Sequence, residues 1–225
     1  MIEVERSVVE QFPGITVLLR LIEGVVVEEG SDELEELKVK VVEEVRSRFT
    51  AEALKDHPVF RAYRDFFWRL GVDPTKTRPA GEALVRRTLV GKPVPRINTA
   101  VDAYNLASMK TGVALAAFDL SKLTLPLKLR FAEPNEAFKG IGMAEAKKLK
   151  GGEVVVSDAE GRLVAIYPYR DSDDSKVTLN THDIALLVCG VPGLELSSLE
   201  EAEELAVKYV TQFCGGSAKD RWVAP

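Results

Sequence analysis

The spacing of apolar side chains divides the chain into strands, then helices, then strands again. Ile2 and Val4 alternate with charged residues, Val8-Val9 follow, a turn falls at Pro13-Gly14, and apolar runs resume over 15–19 and 25–27. These β-branched runs read as strands of a hairpin or sheet edge. Ser31 or Asp32 caps a helix in which Leu34, Leu37, Val41 and Val45 recur at helical spacing, ending near Phe49. A second helix runs from Asp56-His57-Pro58 to Gly71, with Val59, Phe60, Tyr63, Phe66, Phe67 and Leu70 on one broad face. A third runs from Pro79 to Leu89.

The fourth helix is the unusual one. Pro93 and Pro95 fix an extended entry, Asn98 is a good N-cap and Gly112 a good residue for the left-handed turn that ends a helix. Between Ile97 and Met109 only Asp102 is ionised, in a chain with 29% charged residues, so the helix is predicted to have no solvent face. At about 100° per residue, Asn98, Asp102, Asn105 and Met109 project from one side. Such a polar seam is either a structural hydrogen-bond hub or the floor of a site.

After Gly112, residues 113–118 read as a buried strand that delivers Asp119 at its end. Residues 125–131 alternate as another. Two further runs, 153–157 and 162–167, flank Asp158-Ala-Glu-Gly161 as a hairpin. A polar loop over 170–175 precedes a short strand at 177–179 and an apolar strand at 184–189, and an amphipathic helix from Ser197 or Ser198 through Phe213 stops at Gly215-Gly216. The order defines an α+β fold with a mixed, largely antiparallel sheet packed by helices. At 225 residues and 46% hydrophobic content, with no Ser/Gly/Pro-rich linker, the expectation is one domain over 1–225.

Composition narrows the chemistry. No apolar run reaches the roughly 18 residues of a membrane span, and the N-terminal residues lack the pattern of a secretion signal, so a cytoplasmic protein is expected. Cys189 and Cys214 stand apart and read as buried thiols, and two histidines, His57 and His182, leave little room for a zinc site or a His-based triad. No metal or cofactor is expected. Many Glu, Lys, Arg and Val with two Gln fit a thermophile. Lys139-Gly-Ile-Gly142 reads as a turn rather than a phosphate loop. The net charge of −5 conceals a segregation: residues 1–37 carry 2 basic and 10 acidic side chains, and residues 38–96 carry 14 and 7. The basic segment is either a footprint for a phosphate backbone or the partner of the acidic N-terminal residues.

The pattern Ile97-Asn98, Val101-Asp102, Asn105, Gly112 and Asp119 resembles the editing (B3/B4) domain of the phenylalanyl-tRNA synthetase beta subunit in its free-standing form. Gly152-Glu153-Val with Asp158, then Tyr169-Arg170-Asp171-Ser172 followed by Thr178 and Thr181, is similar to the same family, and the resemblance spans residues 58–190. The chain departs from the pattern at Ala116-Ala117, where small glycines are expected, and at Tyr167-Pro168-Tyr169, where Trp-x-Trp is expected. The resemblance implies a trans-acting hydrolase that removes a wrong amino acid from aminoacyl-tRNA, with aminoacyl-tRNA and the amino acid as partners.

An ester already reactive needs less help than an amide, and placing a water correctly is worth on the order of 7–11 kcal/mol. For the catalytic work the candidates are Asp102, Asn105, Asp119, Arg170, Ser172 and Thr178, with Asn98, Ala116, Ala117 and Phe118 against the substrate. Each also has a structural reading: Asn98 as a cap, Asp102 and Asp119 as turn or helix-end bonds, and Arg170 with Asp171 as a local ion pair. The alternative function is a non-catalytic module that binds an amino acid, RNA or a synthetase.

Overall fold

The computed structural model describes residues 1–225. Its strands are β1 (Ile2–Val4), β2 (Val17–Glu23), β3 (Ala114–Asp119), β4 (Leu127–Phe131), β5 (Ala137–Phe138), β6 (Lys147–Lys148), β7 (Val154–Ser157), β8 (Leu163–Ile166), β9 (Arg170–Asp171), β10 (Asp183–Cys189) and β11 (Ser217–Ala224). Its helices are α1 (Arg6–Gln11), α2 (Asp32–Arg48), α3 (Pro58–Arg69), α4 (Ala80–Leu89), α5 (Thr99–Thr111) and α6 (Leu196–Cys214). The expected α+β class holds, with two main sheets in place of one. One sheet has the order β11-β2-β10-β3 and is antiparallel throughout; the other has the order β1-β4-β7-β8-β9, with only β1 and β4 parallel. A short β5-β6 ribbon completes the strands.

The four-stranded sheet is the middle layer. Its central strands are apolar on both faces, so they read as continuous hydrophobic runs rather than alternations. Leu18, Ile22, Leu186 and Val188 face α2, α5 and α6, and Leu19, Leu21, Ala185 and Leu187 face the second sheet and the aromatic stripe of α3. Within that stripe the Tyr63 hydroxyl donates to Cys189 O at 2.6 Å and accepts from Ala114 N at 2.9 Å, tying α3 to both strands at one edge.

Three elements differ from the sequence reading. Val8-Val9 lie in α1, where only Val8 is fully buried; a one-sided contact suits a helical turn as well as a strand. Residues 25–27 alternate in burial but join no sheet: Val25 N donates to His182 O and Val26 N to Cys214 O, a loop and a helix end. Residues 177–179 likewise join no sheet: they lead into a turn at 179–180, across which Thr181 N donates to Thr178 O and Thr178 N to Thr181 Oγ1. The sequence reading also missed β11, whose mostly exposed residues carry no alternation because it is an edge strand paired only with β2.

The helix α5 is buried as its composition requires, with nine of its thirteen residues shut from solvent. Asn98 caps it, accepting from Val101 N at 2.9 Å, and Gly112 ends it in the left-handed conformation at φ 77°. Gly81 of α4 lies so close that a side chain there would meet Gly112 O. Asp102, fully buried, pairs with Lys38 of α2 at 2.7 Å. Breaking that pair from one side leaves a buried charge unpaired. Lys38→Met is therefore expected to cost about 3–5 kcal/mol in urea unfolding, and adding Asp102→Leu to recover most of it. If the single and double variants are equally destabilised, the pair is not what holds α2 to α5.

Candidate functional site

A helix with no solvent face must satisfy its polar side chains internally, so those it leaves unsatisfied are informative. Thr99 Oγ1 accepts from Glu28 N and from the Cys214 thiol; Ser108 Oγ donates to Val113 O at 2.7 Å and Thr111 Oγ1 to Ala107 O at 2.9 Å. Asp102 uses both oxygens, one on Lys38 Nζ and the other on Ile97 N. Lys110 pairs with Glu44 at 2.7 Å. Only Tyr104 and Asn105, neighbours in sequence, bring a polar side chain to α5 with no protein partner. Tyr104 is 8% exposed and Asn105 half-buried.

A third unpartnered group, the Asp171 carboxyl, lies close enough to Tyr104 for its charge to act on that hydroxyl. Successive residues of a strand point to opposite sides, and at β9 this separates Arg170 and Ser172 from Asp171. Arg170 packs on Gly140, stacks over Tyr169 and reaches Ile141 O at 3.4 Å, while Ser172 lines a cavity of about 680 Å³ with Ser121, Lys139, Arg162 and Ser175. Asp171 faces inward. Its carboxyl has neither an ion partner nor a hydrogen bond, and burial alone pushes it up to about 7 although one edge of the residue touches solvent. Its charge bears on Tyr104: burial drives the Tyr104 hydroxyl well above the usual tyrosine range, and the carboxylates of Asp171 and Asp102 push it further. The hydroxyl is therefore a neutral proton donor at any physiological pH.

The remaining sequence candidates sort by partner. Asp119 is fully used, accepting from Ser121 N, Ser121 Oγ and Thr181 Oγ1. Thr181 Oγ1 also accepts from Thr178 N, so Asp119 and Thr178 share one network, and Thr178 Oγ1 accepts from Asn180 N. Asn98 joins that segment by donating to Val177 O at 3.4 Å. Asn98, Asp119 and Thr178 thus sit in one structural frame around the 172–181 segment, Asp102 ties α5 to α2 instead, and Arg170 lies outside both. The expected Arg170–Asp171 ion pair does not form, because the strand turns the two side chains apart. The expected apolar wall divides for the same reason: Ala116 and Phe118 face the second sheet, and Ala117 faces the helices. Sequence reasoning did not single out Tyr104 and treated Asp171 as a salt-bridge partner of Arg170. The signal available was the run Tyr104-Asn105, two polar residues on a helix otherwise stripped of solvent-facing groups.

The chain belongs to the B3/4 domain family, whose model matches residues 62–215. It is 33% identical over 91 residues to the phenylalanine–tRNA ligase beta subunit of Corynebacterium efficiens, a match covering 40% of this chain and 10% of that one. A crystal structure of an N-terminal fragment of the phenylalanyl-tRNA synthetase beta subunit from Pyrococcus horikoshii superposes with a TM-score of 0.53 at 16% identity, covering 100% of this chain and 50% of the fragment. The second likeness concerns the fold. The chain spans about a tenth of the curated relative and half of the solved fragment. No helix is long and apolar enough to cross a membrane.

A carboxyl that titrates near 7 when folded and near about 4 when unfolded binds a proton in the native state that the unfolded chain has lost. Its stabilising contribution is thus complete below pH 4 and fades as pH rises through 7. Asp171→Asn is expected to match the wild type at pH 4 and to exceed it by about 1–3 kcal/mol at pH 8, the upper part of that range being reduced by solvent contact. Denaturant unfolding at the two pH values checks this, and equal stability at both would mean that Asp171 has an unrecognised partner.

Proposed function

We propose that the protein hydrolyses the ester of misacylated aminoacyl-tRNA, with Asp171, Tyr104 and Asn105 at the reacting centre. The observation that carries this reading is the Asp171 carboxyl, unpartnered and raised to about 7, with its charge acting on the unpartnered hydroxyl of Tyr104. Kinship with a synthetase beta subunit supports the choice of substrate.

In this reading the Asp171 carboxylate accepts a proton from a water as its oxygen attacks the ester carbonyl carbon. A general base works best with a pKa near the operating pH, which burial has arranged here. The Tyr104 hydroxyl and the Asn105 amide donate to the oxygen on which negative charge develops. Collapse expels the ribose oxygen, which takes the proton from Asp171, leaving free amino acid and tRNA. The frame of Asn98, Asp119 and Thr178 supplies no proton and holds α5 and the 172–181 segment in register, while Asp102 fixes α5 to Lys38 of α2. Ser172, on the other side of β9, belongs to the neighbouring polar cavity.

The direct experiment is release of labelled amino acid from a panel of misacylated tRNAs. Wild-type protein is expected to exceed spontaneous hydrolysis, with a rate rising through pH 7 to a plateau as Asp171 ionises. Asp171→Asn is expected to lose about 10²–10⁴-fold, and Tyr104→Phe about 10²–10³-fold. Tight binding of aminoacyl-tRNA without release, in every member of the panel, favours a non-catalytic binding module and overturns the hydrolase.

A further inference from the structure

The basic segment 38–96 has two explanations, pairing with the acidic N-terminal residues or service to an anion, and the ion pairs separate them. Nine of its fourteen cations have no carboxylate within 4 Å, and the only N-terminal acid that any of them reaches is Glu35, paired to Lys38 at 2.8 Å and Arg96 at 4.0 Å. Internal neutralisation therefore fails to account for the segment.

Four of the nine unpaired cations converge. Arg78, Arg86, Arg87 and Lys92 line one pocket of about 450 Å³, floored by Ala83, Leu84, Val90 and Pro95, with no acidic residue in its wall. Arg86 uses one N–H on Ala51 O at 3.1 Å, and Arg87 uses Nε on Pro93 O at 2.6 Å, which fixes both guanidiniums and leaves their remaining donors free. Arg78 Nε is shut off from solvent without any acceptor. Two arginines in the last turn of a helix are ordinary partners of its C-terminal carbonyls. That role does not explain Arg78 and Lys92, which lie outside α4 and converge on the same space. Clustered like charges repel, so their convergence costs energy that a bound anion returns, and guanidinium forks match phosphate oxygens in geometry.

The geometry points to a phosphate-binding pocket at Arg78, Arg86, Arg87 and Lys92 that grips the sugar-phosphate backbone of the RNA substrate. The assignment rests on the proposed action on tRNA for the identity of the polyanion. The volume exceeds a lone phosphate, and the apolar floor suits the ribose beside it. The Lys92–Pro95 stretch that forms one wall leads directly to Asn98, so the grip and the start of α5 are joined by three residues.

The test is fluorescence anisotropy of labelled, uncharged tRNA over a range of salt, with circular dichroism to verify folding. Each phosphate contact contributes about 0.7–0.9 to the slope of log affinity against log salt. Arg87→Ala/Lys92→Ala, which removes two exposed side chains, is expected to lower that slope by about 1–2 and weaken binding about tenfold or more. Arg78→Ala is expected to act in the same direction, and inorganic phosphate to compete in the wild type more than in the double variant. Arg61→Ala, an exposed cation of α3 paired with Asp65, serves as control and leaves the slope unchanged. A slope identical in wild type and both pocket variants overturns the assignment. Deacylation is read in parallel: a raised KM in the double variant supports the pocket, and intact turnover with an unchanged KM removes it while the hydrolase reading survives. Pocket-dependent tRNA binding without any deacylation sustains the pocket and removes the hydrolase.

Discussion

Burying a polar helix is the constraint on which this structure depends. The packing of α5 against α2, α4, α6 and the middle sheet gives up its solvent face, and every donor or acceptor on it then needs an internal partner or carries a free-energy penalty. Lys38 is brought inward to meet Asp102, the 172–181 segment is bonded to Asn98 through Val177 O, and Gly81 and Gly112 allow backbones to meet where side chains would collide. Two further buried pairs repeat the device: Arg64 grips Glu82 with two bonds between α3 and α4, and Glu203 of α6 receives Arg20 and Arg221 from adjacent strands. Buried pairs of this kind are costly to form and more costly to break, so they specify position more than they add stability.

Against that accounting, the unsatisfied groups identify themselves. A fold that partners Thr99, Asp102, Ser108, Lys110 and Thr111 does not leave Tyr104 and Asn105 free through want of partners elsewhere. Asp171, whose charge reaches Tyr104, has the same lack, and its strand neighbour Arg170, the nearest cation in sequence, is turned away by the β9 pleat. The alternation that separates the two prevents neutralisation and keeps the carboxyl high in pKa. A site built from what the core declines to satisfy needs no exceptional residue, which agrees with a chain that has only two histidines.

Much of the architecture was legible in the sequence because the helices carry their own punctuation. Ser31 and Asn98 cap where their positions predict, Gly112 ends α5, and the absence of Lys and Glu between Ile97 and Met109 announced its burial. The strands were less legible. Those buried on both faces give no period of two to separate them from other apolar runs, and the edge strand β11 turns only Trp222 and Ala224 to the core. The site was legible in its frame and not in its chemistry. Asp102 and Asp119 attracted attention as isolated acids in apolar surroundings, yet both are consumed by neighbours far away in sequence, Lys38 and Thr181. No spacing reveals that a carboxylate is already spoken for, or that Asp171 is not. The same limit applies to charge: the excess of Arg and Lys over 38–96 was countable, but only the fold shows four of them sharing one pocket.

The account turns on the Asp171 carboxyl being free and near neutrality while Asp102 is engaged by Lys38 and Ile97. Carbon-13 NMR titration of the side-chain carboxyls reads both at once, with a non-hydrolysable 3′-amide aminoacyl-adenosine as probe. The account predicts that Asp171 titrates with a midpoint near 7, that this midpoint moves when the probe is added, and that Asp102 does not respond to the probe. An Asp171 midpoint near 4 that ignores the probe would contradict it.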